Sequence, residues 1–399
     1  MEALAIITYI SVLLLAGIIV SLLANKLKVP DVLMLILLGL AAAFVKYKGQ
    51  ALVEFPALFL ATISILALAL IVFDSSVRLR LRELDVHYMK SLKLVIVSSL
   101  FIFVFFSVIS HIVLGVSLWL AVLFAVMVIG TSPEVVLPML SEYKGTILNV
   151  LKLEALFNTP LTVVLPFLVI DFIQGAPTGV LPEFIDMLVP FLTKLVAGIG
   201  AGVFVGLILY KLTQKKYSPI YSPLAVIIAA MLTYVLSENL GGNGVLAVTT
   251  LGIFFGNIAL KQAKPRAGLL SAESVLTKAL FIFVFILVGM TIKIPLTADF
   301  FIRAGILFLS YLLIRFIAVA LCFRDDDYPF RKKFFMTMVS PKGISTATVV
   351  FIFAIYNMPG TAYFIPGISI VLDMTLAFIL FSIVISSVFA WQYKRFVRD

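Results

Sequence analysis

Cysteine and histidine are nearly absent from this chain of 399 residues: one cysteine, Cys322, and two histidines, His87 and His111. A single thiol excludes a disulfide framework and a multi-cysteine metal site. Two histidines far apart in sequence lack the close spacing of zinc ligands. No nucleophile–base pair stands out, so enzyme chemistry and a cofactor are not expected. Charge is scarce as well. Asp, Glu, Lys and Arg make up 13% of the residues, against 63% hydrophobic ones. A soluble protein covers its core with a surface that is roughly 25–35% charged. This chain cannot do so, and a mean hydropathy of +1.20 makes lipid its solvent. The formal net charge of +10 raises nucleic acid as a partner, but most Lys and Arg sit in short loops between apolar runs, as membrane topology demands.

A membrane-spanning helix needs about 20 mainly apolar residues, up to about 25 when tilted. About 13 stretches qualify, near 3–24, 31–47, 57–73, 91–114, 118–140, 147–173, 183–213, 218–237, 242–260, 275–293, 298–322, 334–357 and 367–392. The expected fold is an all-α polytopic membrane protein. The first stretch lacks a basic leader and a small-residue cleavage site, so it reads as a true span rather than a signal. The seventh is too long for one perpendicular crossing and is expected to begin as an interfacial segment around Pro182 to Pro190. No soluble domain is expected after the last span. Alternate loops carry Lys26 and Lys28, the group from Arg78 to Lys93, Lys144, Lys211 to Lys216, Lys261 to Arg266, Arg324 to Lys333, and the tail with Lys394, Arg395 and Arg398. The opposite loops carry only Lys46, Lys48 and Lys293. Basic loops stay in the cytoplasm, which places the C-terminus inside and the N-terminus outside.

Two of these stretches are broken. GTSPEVVLPML at 130–140 places Pro133, Pro138 and a bare carboxylate, Glu134, in the fifth span; SPKG at 340–343 interrupts the twelfth. Irregular backbone at membrane depth is tolerated only where it is buried in protein or lines a wet cavity. Paired interruptions in corresponding halves point to a transporter's substrate site. The offset of seven spans is odd and inverts direction, so spans 1–6 and 8–13 read as two inverted repeats joined by the seventh. Charges at membrane depth are Glu134, Glu154, Arg315 and Lys342, with Asp171 and Asp373 nearer the outer side. LEALFNTP at 153–160 puts Glu154 and Asn158 on one helix face, followed by Thr159, and Pro160 frees the carbonyl of Leu156. These groups all offer oxygen, the preference of a hard cation. The competing explanation is that Glu154 is a structural ion-pair partner, and that Lys342 and Glu134 offset the exposed ends of broken helices. Ser340 and Lys342 are better explained by that compensation than as a Ser-Lys catalytic pair. ENLGGNG near Gly241 and Gly242 reads as a loop cap.

These residues resemble the monovalent cation/proton antiporter superfamily, near its archaeal sodium/proton antiporter branch. KVPDVLMLILLG at 28–39 resembles the start of its second span, and TSPEVVLPML its T-D-P-x-x-x-x-P-x-x. LEALFNTP resembles E-S-x-x-N-D-P. FIFVFILVGMTIK at 281–293 resembles F-I-F-x-F-x-G, and SPKG resembles P-R-G. The resemblance covers essentially the whole chain. It implies a plasma-membrane homodimer with crossed broken helices and an elevator-like movement of a core domain against an interface domain. The core is expected from about 91–173 and 298–392, and the interface bundle from about 1–73 and 183–260. By the same resemblance Thr131, Ser132, Asn158 and Thr159 fall on the ion site. Glu154 falls on a structural glutamate, Arg315 on its arginine partner and Lys342 on the positive residue of span 12. The partners implied are a monovalent cation, Na+ or K+, and the proton.

Two departures qualify this. Ser132 stands where the archaeal branch has an aspartate, and Thr159 stands where the ion- and proton-carrying aspartate is expected. Threonine can coordinate an ion but cannot release a proton at physiological pH. Glu134, two residues past Ser132, is then the expected replacement. The alternatives are a fold-sharing carrier with changed or proton-independent chemistry, or a transport-inactive homologue. Glu154 is expected to contact Arg315, with Asn158 facing Lys342.

Overall fold

The computed structural model describes residues 2–27, 31–47, 50–51, 55–77, 86–140, 145–175, 182–215, 221–259, 271–291, 295, 297–324, 328–357 and 365–397. The side chains of some helical residues, Glu134 and His87 among them, lie outside this description. Among the described residues the regular structure is helical, apart from a two-residue antiparallel hairpin of Lys46–Tyr47 against Gln50–Ala51. In order the helices are α1 (Glu2–Leu27), α2 (Asp31–Phe44), α3 (Ala57–Val77), α4 (Val86–Phe101), α5 (Ser107–Leu114), α6 (Leu118–Val128), α7 (Pro133–Met139), α8 (Thr146–Gly175) and α9 (Pro182–Lys215). They continue with α10 (Tyr221–Asn239), α11 (Gly244–Phe254), α12 (Ser271–Thr291), α13 (Ala298–Cys322), α14 (Phe330–Met338), α15 (Ile344–Tyr356), α16 (Ile368–Trp391) and α17 (Tyr393–Phe396). A π-helical turn, Ile102–Phe106, carries α4 into α5, and a second, Phe255–Ala259, extends α11.

Seven described helices are long and apolar enough to cross a membrane, and six shorter apolar helices accompany them. The chain is thus an all-α, multi-pass membrane protein. Burial sorts the spans. Only 17% of the apolar window of α1 is buried, against 61% of that of α16. Both helices are apolar all round, so α1 leaves most of its surface uncovered by this chain while α16 runs through the protein interior. Small residues allow close helix packing in a bilayer. A Cβ on Gly39 of α2 would lie 2.1 Å from the carbonyl oxygen of Ile286, and one on Gly289 of α12 would lie 2.2 Å from that of Ile36. These two helices therefore touch backbone to backbone, and Lys278 on Asp31 (2.6 Å) closes one end of the contact.

Residues 182–215 form a single continuous helix of 34 residues, of which Leu192–Leu212 is the stretch long and apolar enough to cross a membrane. Pro190 forfeits one backbone bond to the preceding turn, and membrane helices accommodate such a loss without stopping.

The buried apolar residues fall into two clusters. The larger holds Val163 of α8, Ile314 of α13 and Ala347 of α15; the smaller holds Ala155 of α8, Val319 of α13 and Val339 after α14. Glu154, Asn158, Arg315 and Lys342, all fully buried, lie at the seam between them.

Candidate functional site

Both predicted interruptions are present. Helix α6 stops at Val128 and α7 starts at Pro133; α14 stops at Met338 and α15 starts at Ile344. The two non-helical segments touch, with the amide of Ser132 donating to the carbonyl of Pro341 at 2.9 Å. A helix end leaves backbone groups without intrahelical partners, and in a buried crossing each must be satisfied.

The structure shows where these groups go. At the end of α6, Lys342 Nζ donates to the Gly130 carbonyl (2.7 Å) and Thr346 Oγ1 to that of Met127 (3.2 Å). At the end of α14, Arg315 Nη2 donates to the Met336 carbonyl (3.3 Å). Ser386 Oγ donates to that of Met338 (3.0 Å). The amides beyond the break bond to α16: Ser340 N donates to Ser386 Oγ (3.1 Å) and Lys342 N to Ser382 Oγ (2.9 Å). A cation therefore sits on each helix C-terminus at the crossing, the sign that the partial negative charge there favours. Gly130 is required at its place, because a Cβ there would lie 1.5 Å from Thr162 Oγ1.

Helix α8 brings the carboxylate. Glu154 and Arg315 are 0% exposed and pair through both oxygens, Nη1 to Oε1 at 2.7 Å and Nη2 to Oε2 at 3.0 Å. Such a bidentate pair offsets part of the large cost of removing both charges from water. Glu154 Oε1 also accepts from Thr131 Oγ1 (3.5 Å) and Asn158 Nδ2 (3.4 Å). Thr159 Oγ1 donates back to the Ala155 carbonyl at 3.0 Å, and Thr162 Oγ1 to that of Asn158 at 2.9 Å. The amide oxygen of Asn158 is buried and has no hydrogen-bond partner. Asn158, expected to face Lys342, spends its amide hydrogen bond elsewhere. The amide nitrogen turns to Glu154, one turn back on its own helix, while Lys342 Nζ is taken by Gly130 and by Tyr311 Oη.

The structure thus brings Thr131, Glu154, Asn158, Arg315 and Lys342 into one neighbourhood. Ser132 joins it through the backbone, and Thr159 follows Asn158 on the buried face of α8. The side chain of Glu134 lies outside the described residues. Tyr311, Ser382 and Ser386 were not anticipated. Tyr311 stands one turn before Arg315, and its hydroxyl accepts from Lys342. Ser382 and Ser386 share a face of α16 at a spacing of four. That spacing is their only sequence signal, and serine at i, i+4 is common in helices. Among the described residues no cluster of His, Cys, Asp or Glu is arranged to hold a resident metal.

Away from the crossing, Asp171 near the end of α8 pairs with Lys194 of α9 (2.6 Å) and accepts from Asn243 Nδ2 (3.4 Å). Past the end of α10, Gly241 takes a positive φ of 71° and Gly242 N donates to the Ser237 carbonyl at 2.8 Å, as the loop-cap expectation has it; Asn243 then caps α11, its side chain accepting from Leu246 N at 2.9 Å.

Residues 10–392 match the family described as sodium/hydrogen exchanger, transmembrane. The chain belongs to this family. Among curated relatives of the exchanger family, the probable Na(+)/H(+) antiporter 2 of Methanocaldococcus jannaschii is 24% identical over 359 residues, which span 86% of this chain and 82% of that protein. The Na(+)/H(+) antiporter ApNhaP of Aphanothece halophytica is 30% identical over 279 residues, 68% of this chain and 51% of that one. Among solved structures, the sodium proton antiporter MjNhaP1 of Methanocaldococcus jannaschii at pH 8 superposes with a TM-score of 0.80 at 21% identity. The match covers 98% of this chain and 99% of that one. At that identity the likeness speaks for the fold.

Proposed function

We propose that this chain is a secondary transporter that exchanges a monovalent cation, Na+ or K+, for protons by alternating access, with its site at the crossing of the two broken spans. The observation that carries this is the crossing itself. Two interrupted helices meet at a backbone hydrogen bond and surround a fully buried polar layer that holds an amide oxygen without a partner. Broken helices at mid-membrane are the usual place for substrate and coupling ion in secondary transporters. The names of the curated relatives, both Na(+)/H(+) antiporters, support the same chemistry. A homodimer in the plasma membrane, an inverted repeat and an elevator movement of the core against the interface bundle come with the family resemblance.

In this reading Thr131, Ser132, Asn158 and Thr159 surround the cation. Glu154 and Arg315 brace the core helices, and Lys342 holds the end of α6. Thr159 has no proton to release at physiological pH, so the counter-transported proton belongs to another group. We assign it to Glu134 from its position in the sequence, in the first turn of α7. Proton movement in vesicles driven by a Na+ or K+ gradient tests the exchange. Glu134→Gln should abolish that movement in a protein that still folds. Exchange as in the wild type would remove the assignment.

A second reading is a carrier of the same fold that moves a cation without protons. It is favoured by one observation: the described carboxylate at the crossing, Glu154, is engaged through both oxygens by Arg315. Cation flux without proton flux would establish it.

A further inference from the structure

We infer that Asp171, Lys194 and Asn243 form a releasable clasp between α8 and the pair α9 and α11, one that opens and closes as the core moves. The inference rests on the proposed movement of the core against the interface bundle, and it names a contact that this movement breaks.

The two sides of the contact are held by different neighbours. Lys194 and Asn243 are fixed to each other, since the amide of Asn243 donates to the carbonyl of Lys194 at 3.2 Å. Glycines bring their helices together at backbone distance. A Cβ on Gly198 of α9 would lie 2.9 Å from the carbonyl oxygen of Asn243, and one on Gly202 would lie 2.3 Å from that of Ala247 in α11. Contact this close, without side chains between, makes α9 and α11 one unit. Asp171 comes from the other side. Phe172, the next residue of α8, packs on Trp119 at the start of α6 with ring centroids 4.6 Å apart. Asp171 is therefore tied to the helix that leads into the crossing. Glu154 stands on its own helix, roughly 25 Å away along the axis.

The clasp has the character of a contact that can be broken and remade. Lys194 Nζ lies 2.6 Å from Asp171 Oδ1, with the two side chains 35% and 21% exposed. Asn243 Nδ2 donates to Asp171 Oδ2 at 3.4 Å. Groups that keep access to water part at little cost, and a solvent-touched ion pair is correspondingly weak. The other ion pair of α8 is the opposite case. Glu154 and Arg315 are fully buried, and parting them would strand two charges away from water. Glu238, near the end of α10, completes the arrangement. Its Oε1 accepts from Gly244 N at 2.8 Å, and it lies within electrostatic reach of both Asp171 and Lys194. When Asp171 withdraws, Lys194 keeps a carboxylate nearby on its own side of the clasp.

The test uses the full-length chain with Cys322→Ser and spin labels at Leu118→Cys on α6 and Val189→Cys on α9, two exposed positions that leave the clasp intact. Labelled chains are diluted with unlabelled ones in liposomes. The distance between the labels should fall into two populations, one matching this structure and one displaced from it. Asp171→Asn should raise the displaced-to-matching ratio at least about threefold, within what an exposed ion pair supplies. Lys194→Gln should do the same, and the charge exchange Asp171→Lys with Lys194→Asp should move the ratio back. Thermal unfolding establishes that each variant folds. A single population, or a ratio unmoved by the folded single variants, would overturn the clasp, and a cation-driven pH change in the same vesicles would show that exchange survives it. Two populations that respond to the substitutions without any pH change would support the clasp and reject exchange instead.

Discussion

A charge inside a bilayer is tolerated only with a partner, and Glu154, Arg315 and Lys342 show two solutions to that problem. Glu154 and Arg315 neutralise each other through two hydrogen bonds. Lys342 instead lies on the negative end of a helix, bonded to a carbonyl and a tyrosine hydroxyl. Losing one member of a buried pair strands the other, at a cost of about 3–5 kcal/mol. Glu154→Gln and Arg315→Met should each lower unfolding stability in detergent by about that much, and the double variant should lose less than the sum of the two. Additive losses in the double-mutant cycle would show that the pair is not coupled. All three charges were legible in the sequence, because a lone charge in an apolar run is conspicuous. Their partners were less so. Tyr311, Ser382 and Ser386 are ordinary residues in helices, and nothing in their spacing says that they meet a helix break 30 or more residues away. The hydrogen-bond partner of Asn158 was hidden for a related reason. A carboxylate one turn back on its own helix was available to its amide, while Lys342 already had Gly130 and Tyr311.

At the scale of elements, the two breaks are fixed by sequence and held by their neighbours. Pro133 and Pro341 lack the amide that would continue each helix, and serines on α16 take up backbone groups so released. The crossing also requires α6 to approach α8 at Gly130. Gly130→Ala should lower the unfolding temperature and reduce transport, since its Cβ would meet the Thr162 hydroxyl. Thr162→Ala in the same chain should recover part of the loss by removing that oxygen. A stable Gly130→Ala variant would show that the contact is looser than it is here. The breaks themselves were legible because Pro, Gly and Glu rarely coincide within an apolar run. The π-helical turns after α4 and α11 carry no proline or glycine pair to announce them. The continuity of α9 was not legible, because length alone does not tell a tilted helix from one with an interfacial start.

For the whole molecule, composition settles the solvent and the periodic return of basic loops predicts the orientation. The N-terminus is expected outside and the C-terminus inside. Cys322, the chain's single thiol, ends α13 and is half-buried, with its Sγ 3.8 Å from the Lys93 carbonyl. An impermeant thiol reagent should reach it, or a cysteine added after Asp399, from the cytoplasmic side. Labelling of the added cysteine only from outside would invert the topology. The function turns on one further measurement: internal pH in proteoliposomes of the purified full-length chain, followed by a trapped dye while a K+ or Na+ gradient is imposed. Cation/proton exchange predicts a pH change that depends on the protein, follows the sign of the gradient and reverses with it. No pH change with any alkali cation, from folded protein in sealed vesicles, would contradict exchange.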